Sequence, residues 1–147
     1  MIGWRISNYA DLNGLGGLRA DGRWHHAGRP VVYLADHAAS AMLEMLVHSE
    51  LRALPARFQL LKVELPDEAI LDLDPAALPD DWRARQQETR RIGDAWLARA
   101  PSALLRVPSA LAVDGWNLLL NPQHPDAARC RIADVIAAPL DGRLRPA

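Results

Sequence analysis

The stretch that decides the architecture is Val31-Val32-Tyr33-Leu34-Ala35-Asp36-His37, which runs on into Ala41-Met42-Leu43-Glu44-Met45-Leu46-Val47. Val31 to Ala35 is short, branched and apolar, and is bounded by Pro30 and Asp36, the marks of a strand. The period then changes. From about His37 to Leu54 the pattern predicts a helix, with Asp36 placed to cap it. Phe58 to Leu65 returns to strand character and stops at Pro66. Working outward, strands are predicted at Ala103 to Val107 and Ile132 to Ala138, each ended by a proline. Trp4-Arg5-Ile6 and Ala69 to Leu73 add two shorter ones. A second helix is predicted from about Asp81 to Ala100, carrying Trp82, Ile92, Trp96 and Leu97. Strands and helices do not alternate regularly. That disfavours a doubly wound parallel sheet and favours an α+β domain.

The 147 residues fit one domain spanning 1–147, since domains usually hold roughly 100–200 residues. Seventeen basic residues face eighteen acidic ones, a net charge of −1. Phosphate neutralisation along a duplex needs a basic surplus, so direct nucleic-acid binding is not expected. Of the basic residues Lys62 is the one lysine; the other sixteen are arginines. Either the composition is simply biased, or some arginines grip phosphate or carboxylate with the planar fork that lysine lacks. Arg83, Arg85, Arg90 and Arg91 read as ordinary solvated charges on the second helix. Cys130 is the single cysteine, which rules out an intrachain disulfide and a multi-cysteine metal site. A buried inert thiol is expected there. Met1 to Leu12 lacks the apolar run of a signal peptide, and no stretch approaches the roughly 20 apolar residues of a membrane helix. A soluble, cytoplasmic protein without a membrane partner is expected, and the apolar-rich composition admits a homodimer.

Candidate chemistry is sparse. Gly14-Leu15-Gly16-Gly17 is not a dinucleotide fingerprint, because position 19 is Arg19 and no clear strand precedes the run or helix follows it. His37, Glu44 and His48 fall on one helix face, but no HExxH or comparable spacing supports a metal site, and none is expected. Ser109 sits outside any G-x-S-x-G elbow, which disfavours a serine hydrolase. Asn117-Leu118-Leu119-Leu120-Asn121-Pro122 reads as turn asparagines around a short apolar run. Glu44 is more informative. Its helical neighbours are Ser40, Ala41, Val47 and His48, so its carboxylate is not on a solvated stripe. A carboxylate in apolar company either pairs or works.

Several segments taken together resemble a known family. They are Gly22-Arg23-Trp24, Val31 to Ala35, Leu43-Glu44 within a helix, Ile92-Gly93-Asp94-Ala95-Trp96-Leu97 and Leu105-Arg106-Val107-Pro108-Ser109. Asn117 to Pro122 with His124-Pro125, and Asp141-Gly142-Arg143-Leu144, continue the series. The chain resembles the RES domain, the toxin half of bacterial Xre–RES toxin–antitoxin modules, over nearly its whole length. The resemblance implies an ADP-ribosyltransferase-like fold, with a split, mixed and mostly antiparallel sheet, flanking helices and an NAD⁺ cleft. It implies growth inhibition by NAD⁺ degradation, through hydrolysis or phosphorolysis of the nicotinamide–ribose bond. The alternative is mono-ADP-ribosylation of a cellular protein; a non-catalytic interaction module is disfavoured by the intact set of site residues. Arg23, Tyr33 and Glu44 match catalytic positions. Arg5, Arg23, Tyr33, Ser109 and Asn117 match substrate-binding ones. A cognate Xre-type helix-turn-helix antitoxin is the implied partner. No metal or organic cofactor is implied, since NAD⁺ is consumed. Asp21 and His25 depart from the glycine and asparagine that many family members carry beside Gly22-Arg23-Trp24.

The residues suit that chemistry. Cleaving a glycosidic bond creates an oxocarbenium-like centre, and glycosidases normally supply two carboxyl groups, one to protonate the leaving group. Nicotinamide is already cationic in NAD⁺ and leaves neutral. One carboxylate, Glu44, therefore suffices to stabilise the developing positive charge. Arg23 and Arg5 offer forks for the pyrophosphate. Tyr33 offers a ring to stack on nicotinamide, and Ser109 a hydroxyl for the nicotinamide end or for Glu44.

Overall fold

The computed structural model describes residues 1–48 and 54–145. Its centre is one seven-stranded sheet. In chain order the elements are β1 (Ile2–Ile6), a single helical turn α1 (Gly16–Arg19), β2 (Val32–Ala35), α2 (Ala38–His48), β3 (Arg57–Glu64) and β4 (Ile70–Asp72). Then come α3 (Gln86–Arg99), β5 (Leu104–Pro108), β6 (Trp116–Leu120) and β7 (Arg131–Pro139). The order across the sheet is β4-β5-β6-β2-β1-β3-β7. Only β4 and β5 run parallel; the other neighbours are antiparallel. This is the α+β arrangement expected.

The sheet is split in the middle. β2 pairs with β6 over four residues, and β1 pairs with β3 over five. β1 and β2, by contrast, meet at one pair, Trp4 with Ala35. Beyond that pair the two half-sheets part, and the space between them is the cleft described below.

Alternation along the strands divides the core between the two faces. Leu105, Val107 and Leu119 point to one side, where Trp24, Trp82, Trp96 and Leu97 cover them. Leu104, Leu118 and Leu120 point to the other, with Val32, Leu34, Leu61 and Val63. A smaller cluster of Ala35, Ala41 and Leu60 seats α2 against β1 and β2. Cys130 is buried in the second cluster, and burial pushes its thiol pKa up.

Five expectations need correction. β6 is a central strand, not a turn: Leu118, Leu119 and Leu120 are buried on both faces between β2 and β5, and Asn117 is part of the ladder. The second helix begins at Gln86, because Arg85 leaves helical geometry (φ −108°, ψ 70°) after a separate 3₁₀ turn at Trp82–Ala84. The cap of α2 is His37, whose Nδ1 accepts the Ala39 N–H at 3.0 Å; Asp36 instead accepts the Trp116 N–H at 3.1 Å. A helical turn, α1, begins within the Gly14–Gly17 run, at Gly16, where none was expected. Leu54 is not helical, and the predicted helix residues 49–53 lie outside the described residues. Among the described residues no helix is long and apolar enough to cross a membrane.

Candidate active site

A cavity of about 550 Å³ opens where the half-sheets part. That lies within the range of roughly 300–1,000 Å³ typical of small-molecule sites. Arg5 from β1, Arg23 from the turn after α1, Tyr33 from β2, Glu44 from α2 and Asn117 from β6 all line it. Five residues spread over more than a hundred positions of sequence thus converge on one space. Ser109 does not line it. It is 3% exposed, and its Oγ accepts the Leu111 N–H at 3.2 Å and the Ala112 N–H at 3.0 Å. Ser109 thereby shapes the β5–β6 loop, whose Ala110 and Leu111 reach the cleft.

Glu44 stands on α2 with its side chain 31% exposed. Ala41 and Met45 flank it along the wall. Its one ion-pair partner among the described residues is His48, one turn on, at 3.5 Å and itself mostly exposed. So loose and solvated a pair leaves the carboxylate available to a ligand. Arg5 is half-buried and donates from Nη1 to the Tyr33 carbonyl across the split at 3.3 Å. Burial lowers its pKa, with Asp11 acting in the opposite sense. Arg23 donates from Nη1 to the Arg83 carbonyl at 3.0 Å. Asn117 donates from Nδ2 to the Leu34 carbonyl at 3.2 Å.

Tyr33 belongs to a closed polar network. A carbonyl can only accept, so His25 donates through Nε2 to Gly17 O at 3.1 Å. With Nε2 donating, Nδ1 is the acceptor and takes a hydrogen bond from the Tyr33 hydroxyl, 2.7 Å away. The Tyr33 oxygen in turn accepts the Trp24 N–H at 3.1 Å. His25 is 2% exposed, and burial drives the Tyr33 pKa well above the ordinary phenol value. Gly22 is compulsory here: a Cβ on it would lie 2.3 Å from the Tyr33 hydroxyl oxygen.

The turn carrying Gly22-Arg23-Trp24 is gripped by one face of α3. Arg90 Nε donates to Gly22 O at 2.7 Å, and Thr89 Oγ1 to Arg23 O at 2.5 Å. Asp94 accepts the His26 N–H at 2.9 Å and holds the His26 ring at 2.6 Å. Gly93 lets the Trp24 backbone approach so closely that a Cβ would fall 1.6 Å from its carbonyl oxygen. Positions 89, 90, 93 and 94 lie on one helix face, as the helical period dictates. Arg90 therefore corrects an expectation: it lines the cleft with Gln86 rather than facing solvent. The Arg90-Arg91 pair concealed it, since Arg91 does turn outward to Glu88. The helical register against Trp96 and Leu97 was the signal that separates the two.

No group of histidine, cysteine and acidic side chains among the described residues is placed to hold a metal ion. The histidines are otherwise engaged: His25 in the tyrosine network, His26 with Asp94, His37 in the helix cap.

Comparison with known proteins matches the chain to a family. The RES domain pattern fits residues 2–141. The chain is similar to a protein named Toxin Res from Pseudomonas putida, 48% identical over 134 residues that cover 90% of this chain and 92% of that one. It is 38% identical over 135 residues to a Prs ADP-ribosylating toxin from Sphingobium sp., covering 84% of each. A Toxin Res from Yersinia enterocolitica is 39% identical over 119 residues, covering 80% of this chain and 78% of its own. With a split, mostly antiparallel sheet and a match that runs almost from end to end, the chain belongs to the RES domain family, whose fold is ADP-ribosyltransferase-like.

Proposed function

We propose that the chain is the toxin of a toxin–antitoxin pair and acts in the cytoplasm by cleaving the nicotinamide–ribose bond of NAD⁺. The observation that carries this reading is the meeting of Glu44 with Arg5 and Arg23 in one cleft of ligand size. The guanidiniums suit a pyrophosphate, which accepts forked, charge-assisted hydrogen bonds. Glu44 suits the ribose end. As neutral nicotinamide departs with the bonding electron pair, positive charge develops at the anomeric carbon, and a fixed carboxylate beside it lowers the barrier. In hydrolysis, water then bonds to that carbon and gives up a proton, for which Glu44 is the acceptor. In phosphorolysis, phosphate takes the place of water. Tyr33, held by His25 and Trp24, presents a fixed ring to the nicotinamide end, and Asn117 an amide.

The partner in this reading is a cognate Xre-type antitoxin. The test is incubation of the purified chain with NAD⁺, with and without phosphate, following nicotinamide release. Wild type is expected to release it and Glu44→Gln to lose that release. Intact NAD⁺ under both conditions sinks the proposal. A second reading, transfer of ADP-ribose to a protein, is favoured by the similarity to the Prs ADP-ribosylating toxin. It predicts that NAD⁺ labelled in the ADP-ribose moiety marks a protein band in a lysate, and that the mark vanishes with Arg23→Ala.

A further inference from the structure

Among the described residues four arginines are half-buried: Arg5, Arg23, Arg90 and Arg106. Arg106 has a carboxylate partner, Asp72, at 2.8 Å. The three in the cleft have none within ion-pair distance among the described residues; each is fixed instead by a neutral backbone carbonyl, those of Tyr33, Arg83 and Gly22. A carbonyl orients a guanidinium but does not cancel its charge. Asp11 acts on Arg5, and Asp21, also on the cleft wall, acts on Arg90, but neither forms an ion pair with it, so partly desolvated guanidiniums held only by neutral acceptors still favour binding an anion. Arg90 is the most firmly held of the three. Its Nε is spent on Gly22 O at 2.7 Å and one Nη2 proton on Gln86 Oε1 at 2.9 Å. A guanidinium carries five N–H groups, and the other three have no partner among the described residues.

From this we infer that Arg90 is a third anion-binding residue of the cleft, donating to the diphosphate of the substrate alongside Arg5 and Arg23 while its Nε fixes the turn that carries Arg23. Binding and positioning are thus joined in one side chain. Lysine cannot reproduce the pair of roles, because an ammonium on a flexible stem lacks the fork.

The inference rests on the NAD⁺ reading for its ligand, and the experiment separates the two. Inorganic pyrophosphate is titrated calorimetrically into the purified full chain, which needs no turnover. Arg90→Gln is expected to weaken binding about tenfold or more, the usual scale for losing a charge-assisted hydrogen bond. Arg90→Lys falls in between. Arg91→Gln, on the exposed side of the same helix, leaves binding unchanged. Thr89→Val removes a hydrogen bond from the same turn without removing charge, and is expected to weaken pyrophosphate binding clearly less than Arg90→Gln does. In turnover, Arg90→Gln raises KM for NAD⁺ but not for nicotinamide riboside, which has no phosphate. Wild-type affinity in Arg90→Gln, or an equal loss in Thr89→Val, overturns the inference. Pyrophosphate binding that depends on Arg90 in a chain that leaves NAD⁺ intact upholds it and removes the NAD⁺ reading alone.

Discussion

Gly93 and Trp24 are in backbone contact: a Cβ at position 93 would sit 1.6 Å from the Trp24 carbonyl oxygen. No rotamer relieves that overlap, because the obstructing atom is main chain. Gly93→Ala is expected to push α3 off the turn and to destabilise the protein by at least about 3 kcal/mol, the upper end for overpacking. For a chain of this size that lowers the thermal midpoint by about 6–12 °C. Calorimetry or circular dichroism melting checks it; an unchanged midpoint would show that helix and turn are not so closely packed.

Glu44→Gln is expected to do the reverse, sparing the fold and removing the chemistry. The ion pair with His48 is largely solvated and contributes under about 1 kcal/mol. Nicotinamide release is expected to drop by about 10²–10³-fold, the scale of losing one electrostatic contact to a transition state. Growth on induction of the variant in cells should recover in parallel. Release at the wild-type rate would remove Glu44 from the mechanism.

Tyr33 supplies a pH signature. Burial raises its pKa, so the folded protein keeps the phenolic proton where the unfolded chain, with an ordinary value of about 10, gives it up. Its stabilising contribution is therefore complete below about pH 10 and declines as the pH climbs above that value. Denaturant midpoints compared between pH 8 and pH 11 should fall less steeply for Tyr33→Phe than for wild type. At neutral pH the same substitution strands the Trp24 N–H and the His25 Nδ1, at about 1–3 kcal/mol for an unmet buried group.

Ser109→Ala tests a role exerted through a loop. Losing two backbone hydrogen bonds in a turn is expected to cost about 1 kcal/mol, as at a helix cap. Because Ser109 lies off the cleft, its effect on KM for NAD⁺ should be smaller than that of Arg23→Ala. A larger effect would place its hydroxyl on the ligand.

Much of this arrangement is readable in the residues, and the gaps have physical causes. β2 and β3 announce themselves because branched apolar runs end at Pro30, Asp36 and Pro66. Glu44 stands out because a charge within Met-Leu-Glu-Met-Leu breaks a pattern. β6 does not, because its two flanking asparagines carry turn propensity that pairing on both sides overrides. Gly22-Arg23-Trp24 and Gly93-Asp94 are visible as motifs, yet nothing local says that one is clamped on the other; that is a long-range contact. Arg90 was hidden for the same reason, its neighbour Arg91 being the solvated charge that both resemble.

The one-pair junction between Trp4 and Ala35 has a further consequence. Antiparallel strands left to themselves go on zipping, and each added pair strengthens the ladder. Here the zipper halts after one tooth, and Arg5 reaches over to occupy the Tyr33 carbonyl. The opening is thus a property of strand register before it is one of side chains. Substitution can retune what the opening holds, but a mutant that continued pairing β1 with β2 would gain stability by closing it. Screens for thermostable variants of this chain should therefore enrich inactive proteins at this seam, a conflict between rigidity and use that lies in the backbone.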